Sequence, residues 1–168
     1  ASGTGGSRGI GKDVSIKLAE MGYSVLINYR TNKKEAENTL KLVKEKKVDA
    51  ELLKFDVGNQ KEMEEVLGGW IDNNDDKNLD VLVNNAGIAS IGNVKNTSSE
   101  EMDKIYAVNI KGPYNCLKAA IPGMKAHGGG AILNMASVVS KIGISDRFAY
   151  SASKGAVFAM TLSVAKDY

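Results

Sequence analysis

The residues best able to do chemistry are Tyr150 and Lys154, in the stretch Tyr150-Ser151-Ala152-Ser153-Lys154. Positions four apart on a helix share a face, with about 5 to 6 Å between their Cβ atoms, so the phenol and the ammonium can point into one space. A free phenol titrates near pH 10 or so, and a cation within roughly 4 to 6 Å lowers the pKa of an acidic group by about 1 to 3. One lysine can therefore bring a tyrosine toward working range as a proton donor or acceptor. Taken alone, the spacing is equally that of an ordinary surface pair on a helix. Ser137 stands thirteen residues before Tyr150, at the end of an apolar run. A loop between a strand end and a following helix can fold back far enough to bring both hydroxyls to one carbonyl. Asn109 sits inside a predicted helix, where asparagine has modest propensity. It reads either as a core amide with satisfied partners or as a station in a proton path.

A second group lies at the start of the chain, in Ala1-Ser2-Gly3-Thr4-Gly5-Gly6-Ser7-Arg8-Gly9-Ile10-Gly11. Apolar residues then recur at Ile10, Val14, Leu18 and Met21, which predicts a helix whose N-terminus holds the glycines. Glycines there let backbone N–H groups approach an anion, and the helix dipole favours a phosphate. Gly22 is a plausible cap for that helix, and Ser24 to Tyr29 reads as a short buried strand. Glycine turn, helix and strand make most of a dinucleotide-binding unit.

The residues after that strand bear on the choice of dinucleotide. NAD-preferring sites place an Asp or Glu about 20 residues beyond the glycines, to accept from the ribose hydroxyls. This chain has Asn28, Tyr29 and Arg30, with Arg8 inside the glycine turn. Two guanidinium groups suit a 2′-phosphate, which a carboxylate would repel. The expected cofactor is NADP, with NAD as the alternative; the competing reading makes Arg8 and Arg30 ordinary solvated side chains.

The remaining elements position these groups. Lys33 to Lys47 is an amphipathic surface helix, Glu51 to Phe55 a strand, and Asp56-Val57 lies just past its end. Strand ends of that kind border the ligand crevice of an open parallel sheet, so Asp56 is read as an acceptor for an adenine amino group or, equally, as a helix cap. The helix from Gln60 carries Met63, Val66, Leu67 and Trp70 toward the core, and Asn73 to Asn78 is a polar turn. Leu79 to Val83 is a strand that runs into Asn84-Asn85-Ala86-Gly87. Ala86 and Gly87 leave room for a ring system, and the Asn side chains can fasten neighbouring strands. A long helix, capped at Ser98 or Ser99, runs to Lys125 with a kink at Gly112-Pro113. Gly128 to Gly130 ends it, and Ala131 to Ala136 is a further strand leading to Ser137.

At 168 residues the chain fits one domain, 1–168. Its net charge of +2 is small and interspersed, which asks for neither nucleic acid nor an anionic membrane. No apolar run is long enough to span a bilayer, and no secretion signal is evident. One cysteine, Cys116, and one histidine, His127, allow neither an internal disulfide nor a Cys/His metal cluster, so no metal is expected and a reducing, cytoplasmic setting fits best.

In this order, four elements resemble the short-chain dehydrogenase/reductase family. Thr4 to Gly11 is similar to its Thr-Gly-x-x-x-Gly-x-Gly motif, Asn84 to Gly87 to its Asn-Asn-Ala-Gly motif, and Tyr150 with Lys154 to its Tyr-x-x-x-Lys motif, with Ser137 at the usual spacing. The resemblance implies an α/β fold, a doubly wound, mostly parallel Rossmann sheet. It implies that Ser137 polarises the substrate oxygen, Tyr150 donates the proton, Lys154 assists the phenol and holds the nicotinamide ribose, and Asn109 positions a relay water. Gly5, Ser7, Arg8, Gly9, Ile10, Gly11, Tyr29, Arg30, Asp56, Val57, Asn84, Ala86, Gly87, Tyr150 and Lys154 would hold the cofactor. Within the family the first half looks like NADPH-dependent 3-oxoacyl-acyl-carrier-protein reductases, and the later half looks equally like sugar or polyol dehydrogenases. The substrate is then a small carbonyl or alcohol, or an acyl-carrier thioester, and a homo-oligomer, tetramer or dimer, is expected. A nucleotide-binding module without turnover is the alternative from another class.

The chain departs from that pattern at both ends. Only Ala1-Ser2-Gly3 precede Thr4, so the sheet is expected to lack its first strand, at a cost of about 1 to 3 kcal/mol for each buried backbone group left unpaired. It also stops at Tyr168 within the helix of Tyr150, so the last strands are expected to be missing and the chain reads as a fragment of a longer protein.

Overall fold

The computed structural model describes residues 1–74 and 77–168. Its centre is a parallel sheet of five strands, β1 Ser2–Gly3, β2 Val25–Tyr29, β3 Ala50–Lys54, β4 Val81–Asn84 and β5 Ala131–Asn134, in spatial order β3-β2-β1-β4-β5. The strand order reverses at β1, between β2 and β4. The carboxyl ends of the strands therefore part into a crevice at that point.

The expected absence of the first strand is corrected by this arrangement. Ser2 is in register with Leu26 on one side and Leu82 on the other, and Gly3 with Ile27 and Val83. Leu26 N–H donates to the Ala1 carbonyl at 2.8 Å and Thr4 N–H to the Val83 carbonyl at 2.9 Å, so the ladder runs past both ends of β1. Pairing between two neighbours is made by backbone N–H and C=O groups, which Ser and Gly supply as well as any apolar residue. A short, unpatterned segment thus fills the central place that side-chain pattern alone does not reveal.

The flanking elements follow from their sequences. Helix α1, Gly9–Glu20, ends where Gly22 takes φ +87°, with Tyr23 N–H on the Leu18 carbonyl at 3.1 Å. Strand β2 is buried along its whole length, as a strand covered on both faces must be. Helix α2, Lys33–Lys44, is capped by the Asn32 side chain and stops short of the expected Lys47, which has φ 61°. Successive β2 side chains point to opposite faces: Leu26 packs with Phe55, Met63, Leu67 and Leu117, whereas Val25 and Ile27 pack with Leu18, Ala19 and Val43. Met63 and Leu67 are buried as expected, on a helical stretch made of α3 Gln60–Met63, a π-helical segment Glu64–Gly68 and α4 Gly69–Asp72. The polar turn expected over Asn73 to Asn78 includes residues 75 and 76, which lie outside the described residues.

The long helix before β5 starts at Ser99, behind a capping box in which Ser98 and Glu101 exchange bonds. In place of a simple kink it has α5 Ser99–Ile105, a π-helical segment Tyr106–Lys111 and α6 Gly112–Ala126. Pro113 has no N–H to give to the carbonyl four residues back, that of Asn109, so the regular ladder cannot continue through this point. After β5 come a short helix, α7 Val139–Ile142, and α8, Phe148–Asp167, which carries Tyr150 and Lys154. No helix among the described residues is long and apolar enough to cross a membrane.

Candidate active site

A cleft of about 490 Å³ opens along the carboxyl ends of the strands. That is within the range of roughly 300 to 1,000 Å³ common for small-molecule sites. Its walls include Gly5, Ser7, Arg8, Gly9, Ile10, Tyr29, Arg30, Asp56, Val57, Ala86 and Gly87. Gly11 lies beneath the turn, where a Cβ would run into the Gly5 carbonyl, and Gly5 itself has φ +61°. Helix α1 begins with no capping side chain and no acid in its first turn. Its leading N–H groups and positive dipole end therefore face the cleft without an internal anion.

The turn is held from below and from the side. Buried Thr4 accepts through Oγ1 from the N–H groups of Asn85 and Ala86, each at 3.0 Å, and Asn85 Nδ2 donates to the Thr4 carbonyl at 3.0 Å. Buried Asn28 accepts from Gly5 N–H at 3.1 Å through Oδ1 and donates through Nδ2 to the carbonyls of Leu53 and Phe55. Thr39 of α2 donates to the Ser7 carbonyl at 3.0 Å. Asn84 turns away from the cleft toward β5, donating to Asn134 Oδ1 at 2.8 Å, and it is Asn85 that lines the cleft. Asn134 in turn donates to Thr161 of α8 at 3.0 Å.

At the far end of the cleft, Arg30 and Asp56 meet: Arg30 Nη1 is 3.3 Å from Asp56 Oδ2. Asp56 Oδ1 accepts from Gly58 N–H at 2.9 Å, and the helix that follows is capped by Asn59, so Asp56 is not its cap. Val57 is buried, and its carbonyl accepts from Asn115 Nδ2 at 2.9 Å.

Ser137, Tyr150, Lys154 and Asn109 lie outside the cleft's lining, and two of them adjoin it at Gly87. A Cβ built on Gly87 would stand 3.4 Å from Asn109 Oδ1 and 3.6 Å from Lys154 Nζ, ordinary contact distances, so Gly87 adjoins both side chains. Lys154 is 6% exposed, donates to the Met135 carbonyl, and lies 5.8 Å from the centre of the Tyr150 ring. Burial pulls its ammonium below the ordinary lysine value. Asn109 is buried; its amide exchanges two 2.8 Å bonds with the backbone of Ile88 and donates to Ser153 Oγ at 2.9 Å. Ser153 then donates to the Tyr150 carbonyl at 2.8 Å, so Asn109 ties the loop after β4 to the first turns of α8. Ser137 follows β5, and its carbonyl accepts from Ser140 N–H and Oγ.

Sequence reasoning passed over Thr4, Asn28, Thr39, Asn85 and Ser153 as site residues. Polar residues in otherwise apolar runs, such as Asn28 within Val25–Tyr29, are the signal that was available. Their long-range partners were not.

The match to a family model of short chain dehydrogenases extends over residues 2–168. An uncharacterised oxidoreductase of Thermotoga maritima is 41% identical, the alignment covering 98% of this chain and 64% of that protein. A 3-oxoacyl-[acyl-carrier-protein] reductase of Staphylococcus aureus is 36% identical, with 98% of this chain and 66% of that protein covered. The chain thus spans about two thirds of the length of these relatives. Among solved structures, a metagenomic short-chain oxidoreductase in complex with NADP superposes with a TM-score of 0.93 at 31% identity, over 99% of this chain and 75% of that one.

Proposed function

Because the chain belongs to the short-chain dehydrogenase/reductase family, we propose that its cleft binds NADPH and that Ser137, Tyr150 and Lys154 serve the reversible reduction of a carbonyl to a secondary alcohol. The observation that carries this reading is the junction at Gly87, where the cleft adjoins a buried lysine that also lies beside the Tyr150 ring. The residues present fit the cofactor. The uncapped start of α1 suits a pyrophosphate, Arg8 and Arg30 suit a 2′-phosphate, and Asp56 and Val57 border the place for an adenine. The relative solved with NADP supports the same choice. When bound, the nicotinamide supplies the hydride.

The chain's own residues handle position and protons. The Ser137 hydroxyl holds the substrate oxygen and polarises it, and Tyr150 gives that oxygen a proton in the reductive direction. The Lys154 ammonium, fixed by the Met135 carbonyl, favours the phenolate left behind. Asn109 ties the loop after β4 to α8 through Ile88 and Ser153, and the second lone pair of its Oδ1 leaves it an acceptor for the relay water that the resemblance implies.

The Staphylococcus relative puts 3-oxoacyl thioesters at the head of a substrate panel, with sugars and polyols behind them. The test is turnover of that panel with NADPH by the wild type and by Tyr150→Phe. General acid catalysis is worth about 10²- to 10⁴-fold, so a loss of that size with NADPH affinity retained is expected. Equal rates in the variant discard the assignment of Tyr150, and cofactor binding without any turnover leaves a nucleotide-binding module. The kcat/KM ratio for NADPH over NADH should fall in Arg30→Asp; an unchanged ratio removes the cofactor assignment. The same reading includes a homo-oligomer joined through the helical stretches that hold the exposed side chains of Tyr106, Tyr114, Phe158 and Leu162, to be checked by light scattering.

A further inference from the structure

Arg30 and Asp56 do not stand in the cleft as independent groups. Their 3.3 Å contact joins the ends of β2 and β3, and both line the cleft. Asp56 is held by the turn after β3: Oδ1 accepts from Gly58 N–H at 2.9 Å, while its own N–H donates to Glu62 Oε2 at 2.9 Å. Arg30 is the more exposed partner, 57% against 31% for the two side chains, so the guanidinium is the group able to leave. Among the described residues, no carboxylate pairs with the other guanidinium of the cleft, Arg8.

We infer that the pair is an ion-pair exchange that grades cofactor choice: Asp56 holds Arg30 at the far end of the cleft until a 2′-phosphate takes the guanidinium over. The inference rests on the NADPH reading and deepens it, by giving Asp56 an effect that acts through Arg30. A phosphate monoester carries about 1.5 to 2 negative charges near neutral pH and three acceptor oxygens, so it competes well with one carboxylate for a planar fork of donors. A ligand without that phosphate offers nothing in exchange. The carboxylate therefore tempers affinity for the phosphorylated ligand and leaves the other unaffected. Because the pair is well exposed, the effect is small, roughly two- to five-fold.

The test is calorimetric binding of adenosine 2′,5′-bisphosphate and of AMP to the wild type, Asp56→Asn, Arg30→Ala and the double variant. Asparagine keeps the Oδ1 acceptor for Gly58 and replaces the charged acceptor that faces Arg30 with a neutral NH2. The wild type should prefer the bisphosphate, Asp56→Asn should raise that preference about two- to five-fold, and in the Arg30→Ala background the same change should do nothing. A preference unchanged or lowered in Asp56→Asn overturns the exchange. So does an equal rise without Arg30, because Asp56 would then repel the phosphate directly. A wild type with no preference sinks the NADPH reading and the exchange with it, in a different arm of the experiment. Should Asp56→Asn not fold, Asp56→Ser, whose hydroxyl can also accept from Gly58 N–H, repeats the measurement with the same outcomes.

Discussion

Thr4 Oγ1 accepts from Asn85 N–H at 3.0 Å while Asn85 Nδ2 donates back to the Thr4 carbonyl at the same distance, so the two turns that form the cleft floor are latched to each other. The same hydroxyl oxygen also accepts from Ala86 N–H. Thr4→Val keeps the shape and removes the acceptor. The Asn85 N–H keeps its 3.1 Å bond to the Val83 carbonyl, whereas the part-buried Ala86 N–H is left unpaired, so urea denaturation should show a loss of about 1 to 3 kcal/mol, with weaker NADPH binding. Thr4→Ser should recover most of it. Full stability in Thr4→Val would mean that the Ala86 N–H finds another partner.

Gly9 and Gly11 are set apart by their surroundings. Gly9 has φ +52° and nothing within 4 Å of a built Cβ, whereas a Cβ on Gly11 would collide with the backbone of Gly5 and stand 2.6 Å from Asn85 Nδ2. Gly9→Ala should cost about 1 to 2 kcal/mol, the left-handed penalty alone. Gly11→Ala forces backbone to move and should cost about 1 to 3 kcal/mol and spread the turn. Thermal melts and NADPH titrations compare them: the Gly11 variant should lose cofactor affinity the more. The reverse order would place the constraint in φ and not in packing.

Asn109 holds three bonds that no apolar side chain replaces. Asn109→Leu takes away the partners of the Ile88 N–H and C=O, and because Ile88 is partly open to solvent, water recovers some of the loss, leaving about 1 kcal/mol for each group. Because Ser153 also loses its donor, the start of α8 should loosen. Hydrogen exchange at the first turns of α8 should accelerate in the variant relative to α2, which shares none of these bonds. Uniform acceleration would mean a general loss of stability with no local role.

The layout of strands and helices was legible where side-chain pattern reports burial. The apolar run Val25 to Ile27 of β2 and the four-residue spacing of α1 are of that kind. β1 was not legible, because Ser2 and Gly3 carry no pattern and owe their place to backbone pairing on both sides. At the site, the glycine turn, Arg30, Asp56 and the Tyr150 with Lys154 pair were readable from type and spacing. That Arg30 pairs with Asp56, and Asn109 with Ile88 and Ser153, depends on contacts across 26, 21 and 44 residues. The π-helical segment around Asn109 had a sequence cause in Pro113, but a proline predicts a break without fixing whether the turn kinks or widens.

Lys154 provides a signal that depends on pH. Burial lowers its ammonium below the ordinary 10.5, so at pH values between the lowered value and 10.5 the unfolded chain binds more protons there than the folded one. Stability from this group therefore rises with pH across that window. Below the window both states are protonated and the full cost of burying the cation is present; above it both are neutral and the cost is gone. The buried Cys116 thiol, pushed up to about 12, works the other way above its ordinary 9.0, since the unfolded thiol ionises first. That effect is common to wild type and Lys154→Met and cancels in their difference. Melting temperatures from about pH 7.5 to 10 should show the wild type gaining on Lys154→Met as pH rises. A flat difference would mean that the Met135 carbonyl compensates the buried charge in full, and that Lys154 stays protonated beside Tyr150 across the whole range.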